Sequence, residues 1–302
     1  MKEEWSSLFR NNFPNIVRDE DTVRKILENN ENVVIEKRSS KGDLIGVAVI
    51  HKNTILMLCV DKEYRRQGIG SELLSEAEAA IKEAGYEGVT VGAGEDYLMP
   101  GVPTSKRYVA AVNECLYEEL DTTASEFFEK RGYTHSWDCN CFDMRFPLTE
   151  FTEEEYRIGD YVDGIGYRFA KESDAPEVWK CTDAAYEEFT QYYKNEELYR
   201  GEGMQNPKVL IATDGAEVVG TLIVSLETEG KGLGSVGCTT VKPSHQGRHI
   251  GVNMVTIGTK YLKDAGMKEA YLGYTYTGLD HMYGYAGYKV CIYYMMAKKI
   301  LK

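Results

Sequence analysis

Arg65-Arg66-Gln67-Gly68-Ile69-Gly70 is the stretch of this chain best suited to hold an anion. It follows an apolar run, Thr54-Ile-Leu-Met-Leu-Cys-Val60, and opens a segment with apolar residues at Ile69, Leu73, Leu74, Ala77, Ile81 and Ala84. The run predicts a strand and the spacing predicts a helix. The first N–H groups of a helix lack internal partners and its dipole favours negative charge there, so a phosphate can sit at such a start. Gly68 and Gly70 leave room for main chain to approach it closely, and Arg65 and Arg66 add charge at the rim. The stretch is neither a P-loop, which needs Gly-Lys-Ser/Thr, nor the three-glycine dinucleotide turn.

The same order occurs a second time. Val60 through Gly70 aligns without a gap with Val241 through Gly251, each pair 181 residues apart. The second turn reads Gln246-Gly247-Arg248-His249-Ile250-Gly251, with His249 where the first has Gly68. A helix follows it too, with Ile250, Met254, Val255, Leu262 and Ala265 on one face. Gly85 and Gly266 stand where a left-handed cap would end each helix. Strands are expected upstream at 33–36 and 44–50, then 209–212 and 218–225, and downstream at 89–91 and 270–273. Each copy then reaches a Gly-Tyr pair, Gly132-Tyr133 and Gly287-Tyr288, now 155 apart, so the first copy carries 26 extra residues. The repeat predicts two copies of one α/β unit: residues 1–148, an acidic linker at 149–164 with Phe151 and Tyr156 as its docking candidates, and residues 165–302.

Other residues with chemistry in them are fewer. The extra segment, Glu95-Asp96-Tyr97-Leu-Met-Pro-Gly-Val-Pro103, could shape a pocket, with Glu95 and Asp96 drawing a cationic amine or relaying its proton. A rigid surface loop explains it equally well. Cys139-x-Cys141 lacks a second pair at zinc spacing, and the five histidines are scattered, so no metal is expected.

Composition sets the outer bounds. With 35 Lys and Arg against 48 Asp and Glu, the net charge is −13, which argues against nucleic acid or an anionic membrane as partner and would attract cations. No apolar stretch approaches the ~20 residues of a membrane span. Nor does the start show the basic-then-apolar order of a secretory signal. Seven cysteines in 302 residues suit a reducing compartment. A soluble, cytoplasmic protein is expected.

At the two turns the sequence resembles the GNAT superfamily of N-acetyltransferases, whose diphosphate signature, Arg/Gln-x-x-Gly-x-Gly/Ala, is met by Arg65 to Gly70. The resemblance implies two tandem GNAT-like domains, each a mixed, mostly antiparallel sheet flanked by helices. It further implies acetyl-coenzyme A as co-substrate and direct attack by an amine on the acetyl carbonyl. In the first copy the implied coenzyme contacts are Leu58, Cys59, Val60, Arg65, Arg66, Gln67, Gly68, Ile69, Gly70, Ser71 and Phe128. In the second they are Val241, Gln246, Gly247, Arg248, His249, Ile250, Gly251 and Val252. Family members carry a tyrosine shortly before the Gly-Tyr pair that can protonate the departing thiolate. Tyr283 stands there in the second copy, whereas Phe128 stands there in the first. The first copy is narrowly favoured for transfer, with water, Tyr97 or Tyr108 as donor in place of Phe128. The expected acceptor is a small cationic amine: an amino sugar, an aminoglycoside-like compound or a polyamine. The alternative is a non-catalytic coenzyme-binding module, a sensor or scaffold. The chain is expected as a monomer whose halves pair as a dimer would, with homodimerisation left open.

Overall fold

A computed structural model describes residues 2–93, 97–110, 122–153, 156, 158–200, 207–226 and 232–301. The chain divides into two compact units, the first of residues 1–112, 117–141 and 292–302, the second of 113–116 and 142–291. These are not two contiguous halves, because the last eleven residues belong with the first unit.

In the first unit, helices α1 (Lys2–Asn12) and α2 (Glu20–Leu27) precede a hairpin of β1 (Val33–Arg38) and β2 (Leu44–His51). Then come β3 (Thr54–Val60), α3 (Ile69–Glu83), β4 (Gly88–Val91), β5 (Val102–Thr104), α4 (Thr123–Glu129) and β6 (Thr134–His135). The strand β15 (Ala297–Ile300) completes the sheet in the order β1-β2-β3-β4-β15-β6. Only β3 and β4 run parallel, and only two residue pairs join them, Thr54 with Thr90 and Ile55 with Val91. Beyond Ile55 the two strands part.

Leu73, Leu74, Ala77 and Ile81 bury the predicted face of α3. The helix docks closely because β2 offers Gly46, where an added Cβ would lie 3.0 Å from Leu73 and 3.1 Å from Ile69. In the second unit Gly220 receives Met254 and Ile250, the residues 181 further on, in the same way. Both long helices end as predicted in a left-handed cap: Gly85 and Gly266 donate to Lys82 and Lys263, and Tyr86 and Met267 reach back to Ile81 and Leu262. The Gly-Tyr pairs are the same device, with Tyr133 donating to the Phe128 carbonyl and Tyr288 to that of Tyr283.

The second unit contains β8 (Tyr161–Val162), β9 (Ile165–Phe169), α5 (Ala175–Tyr186), α6 (Thr190–Tyr193) and α7 (Glu197–Arg200). The strands β10 (Lys208–Asp214), β11 (Glu217–Ser225) and β12 (Leu233–Val241) follow, then α8 (Ile250–Asp264), β13 (Glu269–Tyr276) and α9 (Asp280–Tyr285). From β8 to β12 each strand pairs antiparallel with the next, while β12 and β13 are parallel only from Leu233 to Ser235. Each unit is thus a mixed, mostly antiparallel sheet flanked by helices. The stretch read as linker is partly built into this unit: Phe151 is 1% exposed, stacks on Tyr156 at 5.0 Å and accepts from Lys263 through its carbonyl.

Among the described residues no helix is long and apolar enough to cross a membrane, and no group of three or more His, Cys, Asp or Glu could hold a metal.

Candidate active site

The two turns have one backbone. Left-handed φ values fall at Arg66 (+64°) and Gly68 (+90°) in the first and at Gly247 (+76°) and His249 (+59°) in the second. Glycine and non-glycine have traded places while the path stays the same. Histidine at position 249 therefore fits the conformation, being among the residues that tolerate it best. The first signature residue also acts alike in both copies. Arg65 Nε donates to the Val60 carbonyl at 3.3 Å, and Gln246 Nε2 donates to the Val241 carbonyl at 3.1 Å. At Gly68 an added Cβ would meet nothing within 4 Å, so the first crook is open; the second turn is equally open at Gly247, which stands where Arg66 does, but carries the His249 side chain in the place of Gly68. The N–H groups of Gly68, Ile69 and Gly70 find no acceptor among the described residues, whereas Ser71 N–H is taken by the Gly68 carbonyl.

The first turn opens on a cavity of about 610 Å³. Of the expected contacts, Leu58, Val60, Arg65, Arg66, Gly68, Gly70, Ser71 and Phe128 line it. Cys59, Gln67 and Ile69 do not. Cys59 alternates to the other side of the strand, where burial pushes its thiol far up and leaves it a poor nucleophile. Gln67 bonds the Glu63 carbonyl, and Ile69 packs toward Gly46.

Two groups of lining residues carried no sequence signal. Asn12 to Ile16, leaving α1, form one wall. Arg131, just after α4, forms another: it donates to Ser71 Oγ at 2.6 Å and to the Phe127 carbonyl at 2.8 Å, and lies 3.8 Å from the Phe127 ring centre. An arginine four residues after an aromatic at the end of a helix is the pattern that could have marked it. Elsewhere Arg24, Arg38 and Arg168 meet carboxylates. Among the described residues Arg131 and Arg65 donate only to neutral oxygens, Arg65 Nη2 to Asn12 Oδ1 at 2.6 Å. Such cations suit an anionic ligand.

The catalytic candidates expected in this copy are placed as follows. Glu95 and Asp96 lie outside the described residues. Tyr97 does not line the cavity and sits under the Arg18 guanidinium at 4.4 Å. Tyr108 already donates to Glu129, and burial pushes its pKa up. Phe128 is a core residue, 5% exposed, packed edge-on against Phe127 and Tyr133. The insert is not the exposed loop that was one of its readings: Leu98, Met99 and Val102 are buried, β5 pairs with 293–295, and Pro103 lines the cavity.

In the second unit the chemistry is better placed. Cys238 and Thr239 drop out of the β11 ladder as a bulge, Cys238 at φ +51°, near where β12 leaves β13. The Tyr283 hydroxyl meets Thr239 Oγ1 there at 2.9 Å. Burial holds its pKa well above the usual tyrosine value, eased by Thr239 and raised further by Cys238 and Tyr276, so it stays protonated at neutral pH. The cations near the second turn are paired, Arg248 with Asp214 at 3.2 Å and Lys242 with Glu217 at 2.7 Å, and His245 Nε2 lies 3.4 Å from Asp214. Met282 presses on Gly251, where a Cβ would lie 2.7 Å from its sulfur.

Residues 28–135 match the acetyltransferase (GNAT) domain, and residues 174–288 match the acetyltransferase (GNAT) family. No curated protein matches the sequence. Among solved structures, 99% of the chain is similar to a GCN5-related glucosamine N-acetyltransferase region of a fungal multi-domain GH3 beta-N-acetylglucosaminidase, at 18% identity and TM-score 0.71. The match spans only 37% of that protein. A GCN5-related N-acetyltransferase from Sphaerobacter thermophilus is similar over 98% of this chain and 91% of its own, at 17% identity and TM-score 0.67. A tandem GNAT protein from the clavulanic acid biosynthesis pathway is similar over 99% and 94%, at 16% identity and TM-score 0.68. At these identities the likeness is one of fold. With both halves matched in sequence, the chain belongs to the GNAT acetyltransferase family, as two tandem domains.

Proposed function

We propose that this protein is an acetyl-coenzyme A-dependent N-acetyltransferase acting on a small cationic amine, with coenzyme held at both turns and transfer carried out in the second copy. The observation that carries the assignment to the second copy is the Tyr283 hydroxyl, buried, protonated and held on Thr239 at the bulge of β12. The first copy has Phe128 in that place and no tyrosine on its cavity wall.

The first turn suits a diphosphate: its crook is open at Gly68, its helix-start amides find no acceptor among the described residues, and Arg65 and Arg131 have no carboxylate partner among them; the second turn repeats the backbone with His249 in the place of Gly68. Acetyl-coenzyme A supplies an acetyl group activated as a thioester. The amides at the start of α8 hold negative charge, as those of α3 do. Main-chain N–H at the Cys238–Thr239 bulge offers a donor to the oxygen that gains charge as the amine attacks. The amine gives up a proton to solvent to attack as the free base and a second as its N–C bond forms; as the C–S bond breaks, Tyr283 Oη gives its proton to the departing sulfur and regains one from solvent. The surplus of carboxylates draws the amine inward. Amino sugars, aminoglycoside-like amines and polyamines all have the required charge, and the glucosamine N-acetyltransferase likeness favours the first.

Thiol release from acetyl-coenzyme A, followed against a panel of these amines, tests the reading. A flat trace with every amine, beside measurable coenzyme binding, replaces it with a coenzyme-binding module without turnover, a reading favoured by Phe128 and by the paired cations of the second turn. Calorimetric titration is expected to count two coenzymes per chain. Gly68→Trp, which places a ring in the open crook, removes the first and leaves turnover standing. Loss of turnover with that change would return the chemistry to the first copy.

A further inference from the structure

Most large rings of this chain are buried, yet Tyr186 and Tyr192 in the second unit are 45% and 53% exposed. They flank the half-buried Phe189. Tyr186 meets Phe189 edge to face with ring centres 4.6 Å apart, and Phe189 meets Tyr192 at 6.2 Å. The exposure is built in rather than incidental, because the segment is fastened from beneath. Tyr193 is fully buried: its hydroxyl donates to the Cys238 carbonyl at 2.6 Å, and its own carbonyl accepts from the Trp179 indole and the Tyr199 hydroxyl. Thr190 ties the same turn to Thr182 and Asp183. The rings above cannot follow Tyr193 inward.

A carboxylate is fixed among them. Tyr186 donates to Glu188 Oε2 at 2.9 Å, which is what chiefly raises the Tyr186 pKa. Neither Glu187 nor Glu188 forms an ion pair among the described residues, and the second carboxylate oxygen of Glu188 has no partner there. Tyr276, 42% exposed at the end of β13, is close enough to perturb both Tyr186 and the Tyr283 hydroxyl. The patch therefore stands within electrostatic reach of the bulge, and Tyr193 bonds the bulge itself.

Exposed aromatic rings beside a carboxylate without an ion-pair partner are complementary to an organic cation: the rings attract the charge and cover its alkyl carbons, and the carboxylate fixes its nitrogen. We propose that Tyr186, Phe189, Tyr192 and Glu188 form a docking site for a protonated alkylamine. The site names the place where the amine of the proposed reaction lands, and for that use it rests on the acyl-transfer reading. Its binding test needs no acetyl-coenzyme A, so the two can fail separately.

The experiment is calorimetric titration of the whole protein, at low ionic strength, with 1,4-diaminobutane and with the uncharged 1,4-butanediol. The diamine is expected to saturate one site and the diol to give no binding heat. Glu188→Gln and Phe189→Ala should each weaken the diamine about 3- to 30-fold. A control melting curve confirms that neither change unfolds the unit. Equal binding of diol and diamine, no binding up to about 10 mM diamine, or variants that bind as the parent does would each overturn the site. A diamine that binds here as predicted but is never acetylated refutes the acyl-transfer reading and upholds the site.

Discussion

At the first turn Arg65 and Arg131 donate to a carboxamide, two carbonyls and a hydroxyl; at the second, Arg248 and His245 face Asp214 and Lys242 faces Glu217. The backbones are superposable in their φ pattern, so the difference lies wholly in the side chains. An anion arriving at the first turn meets cations whose present partners are neutral. At the second it competes with carboxylates, though exposed pairs of that kind are worth only about 0–1 kcal/mol each. The acid group is distributed the other way, Tyr283 against Phe128. On the proposed function, tight holding and proton delivery are separated between copies of one unit.

Substitutions at three positions test that separation. Tyr283→Phe keeps the ring packed against Tyr288 and removes only the hydroxyl, so turnover should fall about 100-fold while coenzyme stoichiometry holds. Turnover unchanged in this variant would strike Tyr283 from the mechanism. Arg131→Ala should weaken the first coenzyme site about 10- to 100-fold, the range for a charge-assisted bond to phosphate, with the second site untouched. Arg131→Lys separates charge from geometry, since lysine cannot bond Ser71 and the Phe127 carbonyl as a fork does. The smallest effect is expected from Asp214→Asn, which frees Arg248 and His245 and should tighten the second site about 2- to 5-fold. A looser second site there would mean that Asp214 orders the turn rather than competing for it.

What could be read in advance was local. The turns, the two long helices and their caps depend on residues within a few positions of one another, and the structure has them as expected. Gly46 and Gly220 escaped notice because the hairpins before the two turns differ in length, so the 181-residue register fails there. Arg131 and the Asn12–Ile16 wall join the cavity only through tertiary packing. The placement of β15 has no local signal at all. Its partners, Gly88 to Thr90 and Thr134 to His135, lie more than 160 positions earlier.

That last strand bears on how the protein is made. Residues 297–300 fill the gap between β4 and β6, and Ile292 lines the cavity of the first turn. As the chain leaves the ribosome, the unit begun first must wait with an open sheet edge until nearly every later residue has been added. Vectorial synthesis therefore completes the amino-terminal unit last, once residues 292–302 have followed the end of the second unit out.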